Sequence, residues 1–250
     1  MNKLQKQYID DQLFPSDNTL EVPTLRPDMQ AEHCTIPFAC FGEQRRSIDL
    51  QFQGTLHFYT DDYRFKSIYE HPDKIFNHHP QNIVEPNFSL FNETPIAFGL
   101  HQIYKKRWLA RAMQDYGIRV FVDLNVAPKY YKANFLGVPK GWRSYCTRGY
   151  SDRLNMLEFE YMMAREWADG NPLLFVCYGG GKECRQFCEE NGLIYVTPVI
   201  ACKNKAKAFD KMKQSIAFFG EDIDTLELCP KLKELPTLEY MLNNRVESFK

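Results

Sequence analysis

The chain has 250 residues, and its 31 Lys or Arg stand against 32 Asp or Glu, for a formal net charge of -1. That balance excludes a protein that coats polyanions by bulk charge, because counterion release needs a large basic excess. A hydrophobic content of 44% with 14% aromatic residues is that of a folded globular chain and does not by itself name a substrate.

No run approaches the roughly 18 uninterrupted apolar residues of a membrane span, and the opening MNKLQKQYIDDQLF lacks the apolar core of a secretory signal. The expectation is a cytoplasmic protein with no membrane partner. The eight cysteines are then read as thiols, since a chain of this length can bury enough surface without disulfides. Zinc is the competing reading. Cys34 and Cys40 have five residues between them and Cys184 and Cys188 three, but the Cys-x-x-Cys knuckle never occurs.

In chain order, residues 1–48 carry Pro15, Pro23, Pro27 and Pro37 with little periodicity, which predicts an extended arm over a domain at 49–220. From Thr55 onward, short β-branched or aromatic runs alternate with helical spacing. Strands are expected at 55–60, 82–86, 118–124, 142–147, 172–178 and 193–199. Thr94-Pro95 marks the start of a helix that places Ile96, Leu100, Ile103, Tyr104, Trp108 and Ala112 on one face and ends near Gly117. Further helices are expected at 155–169, 182–191 and 204–219, each stopped by a glycine, followed by a wrapping tail at 221–250. Strands alternating with helices imply right-handed crossovers and a parallel sheet. The fold class is therefore α/β, with an open doubly wound sheet or, as favoured here, a TIM-barrel-like or partial barrel behind an extended N-terminal arm. Nothing marks a boundary between independent domains.

Acidic residues stand at or just past the carboxyl ends of the first three strands: Asp61 and Asp62, then Glu85, then Asp123. In a parallel sheet these ends share one rim, where ligand sites of α/β folds form. Clustered carboxylates repel one another unless a cation sits among them, so Asp61, Glu85 and Asp123 are candidate ligands for Mg or Mn. The competing reading is structural, with the acids capping helices or pairing with Arg64, Arg107 and Arg111.

A second signal lies between Leu124 and Ser151, a segment without acids that holds Lys129, Lys132, Lys140, Arg143 and Arg148. Aromatic residues interleave with them, among them Trp142, Tyr145 and Tyr150. Cations neutralise phosphates while aromatic faces stack bases, so the pattern suits single-stranded nucleic acid or a nucleotide. The bland alternative makes the aromatics core and the lysines a solvated loop. Third, Gly180, Gly181 and Lys182 follow a strand and open a helix, whose free N–H groups can meet an anion. It is not a Walker A loop, because Val176 and Glu183 stand where that motif needs glycine and a hydroxyl residue. His57, His78, His79 and His101 form no recognisable catalytic pattern.

The segments Phe58-Tyr59-Thr60-Asp61-Asp62-Tyr63-Arg64-Phe65, Glu85-Pro86-Asn87-Phe88-Ser89-Leu90, Tyr104-Lys105-Lys106-Arg107-Trp108 and Gly137-Val138-Pro139-Lys140-Gly141 carry a resemblance. In this order the chain resembles a family of uncharacterised proteins from bacteria, phages and other mobile elements, known only as a domain of unknown function. It departs from that pattern at Asn87, where the family has aspartate. The resemblance implies a mobile-element setting and a role in replication or host takeover, and brings no established reaction.

The leading expectation is thus a phage or mobile-element protein acting on nucleic acid or a nucleotide, with divalent-metal-dependent phosphoester chemistry and Asp61, Asp62, Glu85 and Asp123 as catalytic acids. Two alternatives stand beside it. One is a non-catalytic module that binds nucleic acid or a host protein, and the other a small-molecule barrel enzyme with a carboxylate base.

Overall fold

The computed structural model describes residues 13–42 and 50–198. The described strands are β1 (Phe38–Cys40), β2 (Thr55–His57), β3 (Asn82–Val84), β4 (Arg119–Asp123), β5 (Ser144–Gly149), β6 (Leu174–Gly179) and β7 (Ile194–Val196). They form one seven-stranded sheet in chain order, and every neighbouring pair is parallel. Connections run through α1 (Asp73–Phe76), α2 (Ile96–Asp115), α3 (Tyr131–Asn134), α4 (Leu154–Ala168) and α5 (Gly181–Glu190). Strand order that repeats chain order is the winding of a barrel and not of a doubly wound sheet, whose order reverses at a switch point.

The sheet curls. Phe38 of β1 and Tyr178 of β6 stack with ring centroids 5.8 Å apart, and His57 of β2 lies 4.4 Å from Tyr178. Across a flat sheet β2 and β6 would be about 19 Å apart, at roughly 4.8 Å per strand. The seven strands therefore make a partial barrel, as the alternation of elements implies.

Alternation along each strand sorts the core. Phe38, Val84, Phe121, Cys146, Val176 and Val196 point inward and pack with Ala31 and Cys34 of the preceding segment. Leu56, Ile83, Val120, Tyr145 and Phe175 point outward and bury against the helices with Trp108, Leu109 and Phe159. Both faces being covered explains why the strands read as near-continuous apolar runs. Each large side chain so buried contributes about 1.5–3 kcal/mol.

The N-terminal segment is more than a cover. Phe14 packs 5.6 Å from Trp108, and the Arg26 N–H donates to the Gln114 side chain at 2.8 Å. The chain then runs under the sheet, where the Ala31 N–H donates to the Val120 carbonyl at 3.0 Å. Phe38–Cys40 goes on to pair with β2, so part of the stretch expected as an arm is the first strand. The expected helix at 204–219 and the tail at 221–250 lie outside the described residues.

α2 begins at Ile96, and Thr94 does not cap it, because its hydroxyl accepts from the Phe91 N–H at 3.1 Å instead. Its buried face takes Ile103, Trp108 and Ala112 as expected, yet Ile96 is exposed, and Lys106 and Arg107 are buried. Two charges replace part of the expected apolar stripe because carboxylates await them at the ends of β3 and β4. Where α5 begins, Gly149 and Gly180 approach so closely that a side chain on Gly180 would overlap Cys184 and the Gly149 backbone. The glycines here therefore serve strand-to-helix packing.

Candidate functional site

The four acids go to different places. Asp61 precedes a single turn at Asp62–Arg64, with its side chain 70% exposed and 3.8 Å from the Arg64 guanidinium. Asp62 accepts from the Ser89 N–H at 3.0 Å and the Ser89 hydroxyl at 2.8 Å, tying the loop after β2 to the loop after β3. Glu85 and Asp123 do meet, as Glu85 accepts the Asp123 N–H at 3.2 Å, and both side chains are fully buried.

Cations from α2 occupy this buried pair. Arg107 is ion-paired with Glu85, while the Lys106 ammonium lies 3.3 Å from the Asp123 carboxylate and 2.9 Å from its backbone carbonyl. The Asp123 carboxylate also accepts from the Tyr59 hydroxyl at 3.1 Å and from the Asn87 amide at 3.0 Å. Burial raises the Glu85 pKa, with Arg107 and Lys106 opposing the rise. Burial lowers that of Arg107, with Glu85 opposing. Buried charges persist only when paired and hydrogen-bonded in this way.

The expected magnesium or manganese donors do not fit one coordination sphere. Asp61 sits in solvent beside an arginine, and a dication at Glu85 and Asp123 would have to displace the ammonium and guanidinium already there. Among the described residues no group of three or more His, Cys, Asp or Glu side chains could hold a metal ion. Cys34 is buried in the inner core, Cys40 is on β1, and Cys184 and Cys188 are on the buried face of α5.

The basic and aromatic segment likewise divides. Trp142 and Tyr145 are fully buried and turned to their own chain, with the indole N–H on the Ser144 carbonyl at 2.8 Å and the phenol on the Trp142 carbonyl at 2.9 Å. Their faces are core, not stacking platforms. Lys129 donates to the Thr94 carbonyl, and Lys140 to the Glu166 carbonyl at 3.0 Å while lying over the Trp167 ring. Lys132 is exposed on α3. Arg143 precedes β5, so it and Lys140 lie at the amino end of the sheet, opposite the rim. Lys129 and Lys132 follow β4 on the carboxyl side, and Arg148, near the carboxyl end of β5, lies at the mouth.

Arg148 pairs in register with Tyr178 of β6 and, two residues on from Cys146, shares its inward face. Its guanidinium is exposed, lies 5.4 Å from the Tyr150 ring centroid, and has no ion-pair partner among the described residues. A second guanidinium, that of Arg153, lies 5.4 Å from the same ring, with exposed Asp152 3.7 Å away. Gly180, Gly181 and Lys182 stand alongside at the start of α5, where no side chain caps the helix.

His57 completes the mouth. It is 1% exposed, its Nδ1 accepts from the Tyr59 N–H at 3.2 Å, and its other ring nitrogen therefore carries the proton. That N–H has no acceptor among the described residues. Burial, and then the charge on Arg148, lower the His57 pKa to about 3, so the ring is a neutral donor.

Sequence reasoning missed His57, Tyr59, Lys106, Arg153 and Tyr178. Two signals were present. Period-two alternation puts His57 on the inner face of its strand, and a Lys-Arg pair inside the apolar stripe of α2 demands buried acids.

The chain is 30% identical over 178 residues to a protein named "Gene 1 protein" of Mycobacterium phage L5, covering 68% of this chain and 76% of that one. It is 31% identical over 133 residues to "Gene 1 protein" of Mycobacterium phage D29, covering 51% of this chain and 48% of that one. No solved structure matches it. A family model covers residues 14–189, which takes in α2, the buried charge cluster and the whole mouth from β1 to α5, and the chain belongs to that family, the Domain of unknown function (DUF4417).

Proposed function

We propose that the protein is a binding module that takes single-stranded nucleic acid or a nucleotide at the carboxyl rim of the partial barrel. The observation that carries the reading is the Arg148 guanidinium, exposed at the mouth over Tyr150 and without an ion-pair partner among the described residues. An unneutralised cation beside aromatic rings is the chemistry that meets a phosphate next to a base. Exposed Tyr63, Phe91 and Phe98, in the loops after β2 and β3 and in the first turn of α2, add flat apolar faces on the same rim. The reading is of recognition, because Glu85 and Asp123 are engaged by Arg107 and Lys106.

The test is the affinity of the full chain for an unphosphorylated single-stranded oligonucleotide, measured by fluorescence anisotropy against salt. Binding is expected to weaken with salt, and Arg148→Ala with Arg153→Ala to weaken it about tenfold and reduce the salt slope. Lys140→Ala with Arg143→Ala, at the far end of the sheet, should behave as wild type. No binding, or salt-independent binding untouched by the rim variant, would overturn the proposal.

A further inference from the structure

We infer that the mouth of the partial barrel is a subsite for a terminal phosphate, held by the Arg148 guanidinium and the free ring N–H of His57, with Arg153 as a second positive charge. This rests on the reading of a nucleic-acid or nucleotide ligand and specifies which part of it the mouth takes.

Three observations lead there. First, two of the rim's cations gather at one ring. Two guanidiniums lie over one tyrosine ring, whereas Lys129 and Lys140 are spent on backbone carbonyls and Arg143 lies at the other end of the sheet. A strand followed along its backbone needs charges spaced with its phosphates, but a single convergent cluster suits one highly charged group.

Second, the buried donor is of the right kind. His57 is neutral and 1% exposed, and its N–H lacks an acceptor among the described residues. With no internal acceptor drawing on it among the described residues, this N–H is available to a ligand oxygen. The ring is held by stacking against Phe38 at 4.9 Å and by Tyr178 at 4.4 Å, so the donor is preorganised. A neutral imidazole can give a hydrogen bond to a phosphate oxygen without taking up a proton.

Third, the acids nearby leave the charge in place. Asp123 is turned to Lys106, Tyr59 and Asn87, and Asp152 is an exposed neighbour of Arg153 alone. Glu183, in the first turn of α5, is exposed. A phosphomonoester carries close to two negative charges and three acceptor oxygens at neutral pH, against one charge for a diester, so it gains more from two guanidiniums and an N–H.

The experiment compares one short single-stranded oligonucleotide in three forms: hydroxyl-ended, 5′-phosphorylated and 3′-phosphorylated. Each is bound to full-length wild type, Arg148→Ala and Arg148→Lys. One phosphorylated form is expected to bind wild type about tenfold tighter than the hydroxyl form or better, with the advantage lost in Arg148→Ala and partly kept in Arg148→Lys. Arg148 is exposed, so its replacement leaves the core intact. His57→Phe, which keeps the stacked ring, should also lose part of the advantage. Equal binding of all three forms by wild type would overturn the terminal-phosphate inference while leaving nucleic-acid binding standing. Binding of none would overturn both, and a phosphate advantage that survives Arg148→Ala would overturn the assignment of the subsite to this mouth.

Discussion

Lys106 holds its ammonium 2.9 Å from the backbone carbonyl of Asp123 and 3.3 Å from the carboxylate of the same residue, fastening α2 to the end of β4 through one side chain. Both side chains are buried, so removing either leaves a stranded charge. Asp123→Ala and Lys106→Ala should each lose about 3–5 kcal/mol in urea unfolding. The double variant should lose less than the sum by about 0.5–3 kcal/mol. Strict additivity would show that the pair is not energetically coupled.

Asn87 donates its amide to the Asp123 carboxylate at 3.0 Å and to the Asn125 carbonyl at 2.9 Å. Asn87→Asp would replace both donations with carboxylate repulsion. The variant should lose about 1–3 kcal/mol at neutral pH. Its deficit should shrink as the pH falls, and manganese should raise its melting temperature if a third acid beside Glu85 and Asp123 makes the cluster a cation site. A thermal scan at two pH values, with and without manganese, reads both effects.

Glu160 lies buried on α4 and accepts from the Thr147 hydroxyl at 2.6 Å. Burial raises its pKa well above the usual carboxylate range, and the Thr147 hydrogen bond only partly opposes the rise. For an acid raised on folding, the unfolded chain gives up its proton first as the pH climbs. The stabilising contribution is full below the unfolded-state pKa and is lost as the pH rises through the folded-state value. Glu160→Gln mimics the protonated form, so its melting temperature should fall less than that of wild type on going from acid to alkaline pH. Parallel curves would refute this.

Burial pushes the Cys34 thiol up to about 12 and that of Cys146 well above its ordinary value. Both should resist iodoacetamide in the native protein and react only after denaturation, while half-buried Cys40 is modified first among the described cysteines. Peptide mass spectrometry after timed labelling gives the order directly.

The fold was legible where the chain carries its own punctuation. The run from Arg119 to Asp123 and the helix that stops just before Gly117 were readable because apolar content and glycine position are local. β1 was not, because Phe38–Cys40 becomes a strand only through its partner β2, three residues after a proline giving no period of their own. At the site, acids at strand ends correctly marked Glu85 and Asp123 as neighbours. The charges that hold them sit on α2, and spacing along the sequence does not report which helix face turns inward. Trp142 and Tyr145 look identical to stacking residues in sequence. Only their position between sheet and helices makes them core.

The order of the sheet bears on how the chain can be made. Each strand pairs only with the one synthesised before it, so the sheet can grow along one edge as the chain leaves the ribosome, with no early strand waiting for a distant mate. One exception is the stack of Phe38 and His57 on Tyr178, which joins the fourth and sixth tens of residues to a ring more than a hundred positions later. The ring stack at the mouth is therefore completed only once six of the seven described strands have been made, and a nascent chain can have most of its sheet before the stack that holds His57 in place exists.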